Sequence, residues 1–271
     1  MILNTRPDRS TRPPLGIAIP AGLCLLFLAV PLLALLIRAP WSALGSLLGQ
    51  RTVVTALRLS VECASAATVI SIVLGVPLAW VLARVRFPGL RLARAVITVP
   101  LVLPPVVGGV ALLMAAGRNG VVGQHLDSWF GITLPFTTAG VVVAETFVSM
   151  PFLIVSVEGA LRSSDLGLEE AAATLGAGRW TVFRRVTVPL VLPSIGAGAV
   201  LCWARALGEF GATITFAGNY PGTTQTMPLA IYNAFQTDPD AAIALSLVLL
   251  LVAVTLLVAL RDNWLRAGSP T

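Results

Sequence analysis

Lysine is absent from all 271 residues, histidine occurs once, and acidic and basic residues together make up only 11% of the chain. Each scarcity excludes something. A phosphate-binding P-loop needs a lysine to reach the terminal phosphates, and Schiff-base chemistry needs a lysine amine, so neither resides here. The single histidine, His125, has only Asp127 beside it and no second ligand nearby, which argues against a metal site. No acidic metal-binding cluster or His and Ser set stands at a predicted membrane edge, as an enzyme acting on lipid or prenyl substrates would need. Cys24, Cys63 and Cys202 fall inside apolar runs, where they read as small packing residues rather than disulfide partners. No internal repeat and no low-complexity linker divides the chain. A soluble domain carries about a quarter charged residues, and this chain is far below that level.

What is present is apolar: 56% of the residues are hydrophobic. Runs at 16–37, 56–83, 95–115, 138–157, 188–207 and 241–260 approach the roughly 20 residues a spanning helix needs. The expectation is an all-α integral membrane protein of about six transmembrane helices, with both termini on one side. The first run is too long, and too poor in small-residue cleavage signals, for a removed signal peptide, and is read as a helix.

The arginines orient the bundle. Arg6, Arg9 and Arg12 precede the first run, Arg84, Arg86, Arg91 and Arg94 lie between the second and third, and Arg162, Arg179, Arg184 and Arg185 lie between the fourth and fifth. Arg261 and Arg266 follow the last, whereas the opposite loops hold Arg38, Arg51 and Arg118, with Arg58 near a boundary. The positive-inside rule puts both termini and the loop 158–187 in the cytoplasm. The net charge of +6 is therefore mainly a topology signal, and its dispersal argues against a nucleic-acid partner. Residues 1–14, with Pro7, Pro13 and Pro14 among arginines, read as a flexible cytoplasmic arm, and 15–271 as one membrane domain.

One polar island interrupts the oil. Ser164 and Asp165 suit a helix start, and Asp165, Glu169 and Glu170 place negative charge where the helix dipole favours it. Leu168, Ala171, Ala172 and Leu175 share one narrow face, Gly176 and Gly178 stop the helix, and Arg179 to Val186 forms a second short amphipathic piece before Pro189 opens the fifth span. Two readings fit this pattern: a knob that docks into another protein, or an interfacial segment resting on headgroups through Trp180, Phe183 and the arginines.

Glu170-Ala171-Ala172, three residues, Gly176, nine residues, then Val186-Thr187-Val188-Pro189 resembles the EAA motif of permease subunits of ABC importers, with valines where that family prefers Ile and Leu. A second stretch, from Ala204-Arg205-Ala206-Leu207-Gly208-Glu209-Phe210-Gly211 through Ala217-Gly218-Asn219 to Thr224-Gln225-Thr226-Met227-Pro228-Leu229-Ala230-Ile231-Tyr232, is similar to permeases of molybdate and sulfate importers. Arg118-Asn119-Gly120 and Leu134-Pro135-Phe136 fit the same group.

The resemblance implies a type I importer permease fold, no catalytic residue and no cofactor on this chain. ATP and Mg would belong to two copies of a partner ATPase, with a second permease copy forming a homodimer and an external oxyanion-binding protein completing the assembly. Glu169, Glu170, Ala171, Ala172, Leu175, Gly176 and Arg179 would then form the coupling surface gripped by the ATPase. The implied cargo is molybdate or tungstate, with sulfate or thiosulfate as the alternative.

Charges inside the apolar runs come in pairs. Arg205 and Glu209, at the end of the fifth run, and Arg58 and Glu62, at the start of the second, stand four apart, so each arginine satisfies its glutamate on one helical face, with direct contact to substrate as the alternative for the first pair. Glu145 stands alone in the fourth run, and either a cross-helix arginine or proximity to the outer surface would accommodate it. A dianion must cross without being trapped, which favours hydroxyls and backbone N–H groups over deep arginines. Thr213, Thr215 and Asn219 are the pathway or gate candidates, and Gly208, Gly211 and Gly218 read first as helix-packing residues. Pro100, Pro104 and Pro105 predict a break in the third run.

Overall fold

The computed structural model describes residues 15–42 and 44–267, apart from the side chains of Leu47, Leu48 and 256–267. The arm expected over 1–14, and the side chains of Arg261 and Arg266, lie outside the described residues. In chain order the helices are α1 (Leu15–Ile37), α2 (Leu44–Leu48), α3 (Arg51–Arg84), α4 (Leu90–Val102), α5 (Pro105–Ala116), α6 (Gly123–Phe130), α7 (Thr138–Ser163), α8 (Gly167–Thr174), α9 (Arg179–Val182), a π-helical turn (Phe183–Thr187), α10 (Val188–Leu207), α11 (Gly211–Phe216), α12 (Met227–Thr237) and α13 (Pro239–Ala267). No strand occurs among the described residues.

Four helical stretches are long and apolar enough to cross a bilayer unaided: Leu15–Ile37, Arg51–Arg84, Thr138–Ser163 and Arg179–Leu207. The third expected span is divided. Leu103 is held extended before Pro104, and Pro105 begins α5 at a position where a helix needs no N–H, so α4 and α5 meet at a proline corner. The sixth expected span corresponds to α13.

The centre of the bundle is α3, α7 and α10 packed on one another. Along α3 the small residues Ser60, Ala64, Ala67, Ser71, Gly75 and Ala79 recur every three or four positions and are all buried. This stripe lets neighbouring backbones approach closely, as helix association in lipid requires. Val76, Leu82, Leu153, Ile154, Val157, Leu161, Val191 and Ile195 fill the core between the three helices. The opposite side of α3 exposes Val69, Val73 and Leu74, and α1 exposes nearly its whole apolar surface. In water such surfaces would drive aggregation, whereas in hydrocarbon they are at home. α11 packs on α5 and α7, and α12 with α13 closes on α3 at its other end.

The fifth span differs from expectation. The expected second short helix, 179–186, is not separate, since α9, the π turn and α10 run on as one rod from Arg179 to Leu207. Pro189 has no N–H to offer the carbonyl four residues back and its ring crowds that turn, and the wider π turn just before it accommodates both.

Candidate coupling knob and translocation region

α8 projects from the end of α7, and its limits follow from its sequence. Asp165 Oδ1 accepts from Gly167 N at 2.8 Å to start the helix, the run Ala171 to Ala173 supplies the best helix formers, and Glu169 and Glu170 occupy the first turn. Ser164, expected to open this helix, instead closes α7, its Oγ donating to Leu161 O at 2.8 Å. At the other end Gly176 adopts φ +87°, Gly176 N donates to Ala173 O at 3.0 Å, and Ala177 N donates to Ala172 O at 3.1 Å. That pair of bonds is a Schellman stop, which needs the left-handed conformation glycine adopts without strain. Gly178 then caps α9.

The knob has an inner and an outer side. Glu169 and Ala172 face the bundle partly covered, while Leu168, Glu170, Ala171, Leu175 and Arg179 are exposed, Leu175 at 88%. Leu168, Ala171 and Leu175 therefore form the outward face expected of the helix, with Ala172 turned from it. Glu169 Oε1 accepts from Arg84 Nη2 at 2.9 Å, an ion pair to the end of α3. Phe183 roots the far side of the knob, edge-on to Trp80 of α3 at 5.7 Å and stacked with the exposed Trp180 at 5.6 Å. Between α3 and the knob lies a cleft of about 440 Å³, whose lining includes Trp80, Arg84, Arg86, Glu169, Glu170 and Arg179.

The arginine-rich helix ends meet in space. Arg94 Nε donates to Glu158 Oε1 at 2.8 Å and its Nη2 to Leu82 O at 2.7 Å, and Arg162 reaches the same Glu158 at 3.1 Å. The ends of α3 and α7, the start of α4, and α8 thus share one face of the bundle.

Inside the bundle Arg205 Nη1 and Glu209 Oε2 are 2.5 Å apart, with the glutamate side chain 1% exposed. Glu209 Oε1 also accepts Ala212 N at 2.8 Å, so one carboxylate ties the end of α10 to the start of α11. Arg58 and Glu62 pair at 2.6 Å on an exposed stretch of α3. Glu145 has neither of the accommodations expected for it: it is buried, and among the described residues its Oε2 has no hydrogen-bond partner.

The pathway candidates separate. Thr213 is fully buried on α11 and its Oγ1 has no hydrogen-bond partner among the described residues. Thr215 Oγ1 donates to Gly211 O at 2.8 Å, a local helix bond. Asn219 joins a carboxamide chain, accepting from Gln225 Nε2 and donating to Asn233 Oδ1, both at 3.0 Å. These residues follow α10 rather than lying within it. His125 stacks edge-on against Trp129 at 5.1 Å and Asp127 pairs with Arg118 at 3.0 Å.

Comparison with known proteins agrees with this architecture. Residues 71–267 match the model of the family described as binding-protein-dependent transport system inner membrane component. The chain is 52% identical over 240 residues to the molybdenum transport system permease protein ModB of Mycobacterium tuberculosis, covering 89% of this chain and 90% of that one. It is 46% identical over 210 residues to the ModB permease of Escherichia coli K12, covering 78% and 92%. A chain of a bacterial alginate ABC transporter, solved in complex with an alginate pentasaccharide-bound periplasmic protein, superposes with a TM-score of 0.72 at 18% identity over 92% of this chain and 91% of that one.

Proposed function

Since the chain belongs to the binding-protein-dependent transport system inner membrane components, we propose that it is the permease subunit of an ATP-driven importer of molybdate or tungstate. The single observation that carries the cargo assignment is the 52% identity, along nearly the full length of both chains, to a permease named for molybdenum transport. The chain is a multi-pass membrane subunit that conducts rather than catalyses. ATP and Mg are bound and turned over by two copies of a separate ATPase, a second copy of this chain completes the pore, and an external binding protein delivers the anion.

The arginine distribution supports an orientation with both termini and the knob in the cytoplasm, and the ion-paired ends of α3, α4 and α7 lie on that same face. Residues 15–271 form the permease domain, with 158–187 as its coupling loop. The exposed side of the knob, Glu170, Ala171, Leu175, Gly176 and Arg179 with Leu168, enters a cleft of the ATPase. The alanine is small enough for close approach, and the two leucines supply apolar area that is uncovered in the isolated chain. Closure of the ATPase pair around ATP draws the two knobs together and turns the bundle outward-open, and hydrolysis returns it.

Thr213 is the leading pathway group, because a buried hydroxyl without a partner among the described residues is held at a cost that a passing oxyanion would relieve. Thr215 and Asn219 are weaker candidates, since their polar groups are already engaged. The test is uptake into proteoliposomes containing the permease, its ATPase and the cognate binding protein, with competing anions outside. Molybdate and tungstate are expected to compete with each other and sulfate weakly. Preferential competition by sulfate or thiosulfate would reassign the cargo.

A further inference from the structure

Docking does not account for Glu169. It immediately precedes Glu170 in the first turn of α8, yet its side chain is only 14% exposed and is directed at Arg84, which is 11% exposed. Arg84 is the last residue of α3, and its Nη2 donates both to Glu169 Oε1 at 2.9 Å and to Ser164 Oγ at 2.8 Å. A second bond, Arg84 Nε to Glu169 Oε1 at 3.3 Å, fixes the plane of the guanidinium. One side chain therefore clamps the end of α7 and the start of α8 to the end of α3.

Neither charge needs this partner for local stability. A glutamate in a first turn and an arginine in a last turn are each already favoured by their own helix dipole. Bringing them together removes both from water, which is costly unless the geometry is good, so the pair defines position more than it adds stability. None of the α8 residues is buried and the helix packs mainly on α9 and the π turn, so the Arg84 clamp is its tie to α3.

Movement of the knob can reach the bundle along two routes. The covalent route runs through the Gly176 corner and the π turn at Phe183–Thr187 into α10. The Gly176 corner is not helical, so displacement along this route must pass a turn before it reaches the continuous rod of α9, the π turn and α10. The other route is the Arg84 clamp, which leads directly into α3, a central helix of the core.

We propose that Arg84 and Glu169 are positioning residues for energy coupling: they hold the knob in register with α3 so that its displacement moves the bundle, and they do not contact the ATPase. The proposal rests on the coupling role given to the knob above.

The test uses the complete complex with ATPase and binding protein in proteoliposomes, measuring ATPase co-purification and molybdate imported per ATP hydrolysed. Glu169→Gln and Arg84→Gln are expected to keep the ATPase bound while import per ATP falls by about 2- to 30-fold, the range over which altered contacts modulate coupling. The exchange R84E/E169R is expected to recover part of the loss, because the charges meet again while the bond to Ser164 is not restored. Normal import per ATP in both single variants overturns the proposal. Loss of ATPase binding in Glu169→Gln without recovery in the exchange also overturns it, and makes Glu169 a docking contact. If the single variants fail to insert, Ser164→Ala removes only the shared hydroxyl: a smaller loss of import per ATP is expected, and unchanged coupling overturns the proposal. Failure of the docking reading itself would appear elsewhere, as normal ATPase binding when Glu170 or Gly176 is replaced.

Discussion

Replacing Arg205 by alanine leaves Glu209 with a single compensating bond. The carboxylate is 1% exposed, loses a partner at 2.5 Å, and keeps only the Ala212 N–H at 2.8 Å. Removing one member of a buried pair costs about 3–5 kcal/mol because the other charge remains buried and unpaired. Arg205 is 26% exposed, so some water reaches its end of the pair and the expected cost drops to about 2–3 kcal/mol, just below that range. At about 2–4 °C per kcal/mol for a chain of this size, the Tm of the solubilised permease should fall by about 5–10 °C. A thiol-reactive dye reads the transition directly, because Cys63 and Cys202 are buried and free. The double variant R205A/E209Q should recover at least half of the loss, since a glutamine can still accept the Ala212 N–H without burying a charge. An unchanged Tm combined with altered preference among molybdate, tungstate and sulfate would refute this structural role and make Arg205 a substrate contact.

Glu170→Arg and Gly176→Leu are expected to reduce ATPase co-purification while leaving membrane insertion intact; the first reverses a charge on the outer side of the knob, and the second forces a side chain into φ +87°. Gly109→Leu should destabilise the permease by about 1–3 kcal/mol and so lower its Tm, because even a Cβ there would stand 2.6 Å from the Thr215 Cβ and 3.0 Å from the Ala212 carbonyl oxygen; a Tm at the wild-type value would show that α5 and α11 are not packed as described. Thr213→Val removes a buried hydroxyl that has no partner among the described residues, so Tm should hold or rise while molybdate uptake falls, and unchanged uptake would remove Thr213 from the pathway.

Local features of this fold are legible in the residues. Apolar run length identifies the four helices that can cross a bilayer unaided, Pro104-Pro105 marks the corner between α4 and α5, Gly176 ends α8, and the four-residue spacing of Arg205 and Glu209 yields the observed ion pair. Each depends on neighbours within about one helical turn. What the residues do not disclose depends on distant ones. Arg84 and Glu169 are 85 positions apart, and nothing in either segment favours this partner over Arg86 or Glu170. The resemblance to the EAA motif implies that Glu169 and Glu170 both belong to the coupling surface, yet the two adjacent glutamates point different ways because a helix turns about 100° between them. The same limit applies to Glu145, whose burial without an arginine follows from how α7 packs, and to the π turn, a small local adjustment before Pro189 that apolar periodicity does not resolve.

The most direct test of the central claim is molybdate uptake by proteoliposomes containing the purified permease with its binding protein, with and without the partner ATPase and with the knob either native or carrying Glu170→Arg. Uptake is expected only when ATPase, ATP and the native knob are all present, and protease or antibody access should place the 158–187 loop on the ATPase side. ATP-independent concentrative uptake by the permease alone, or a knob accessible only from the binding-protein side, would contradict the account.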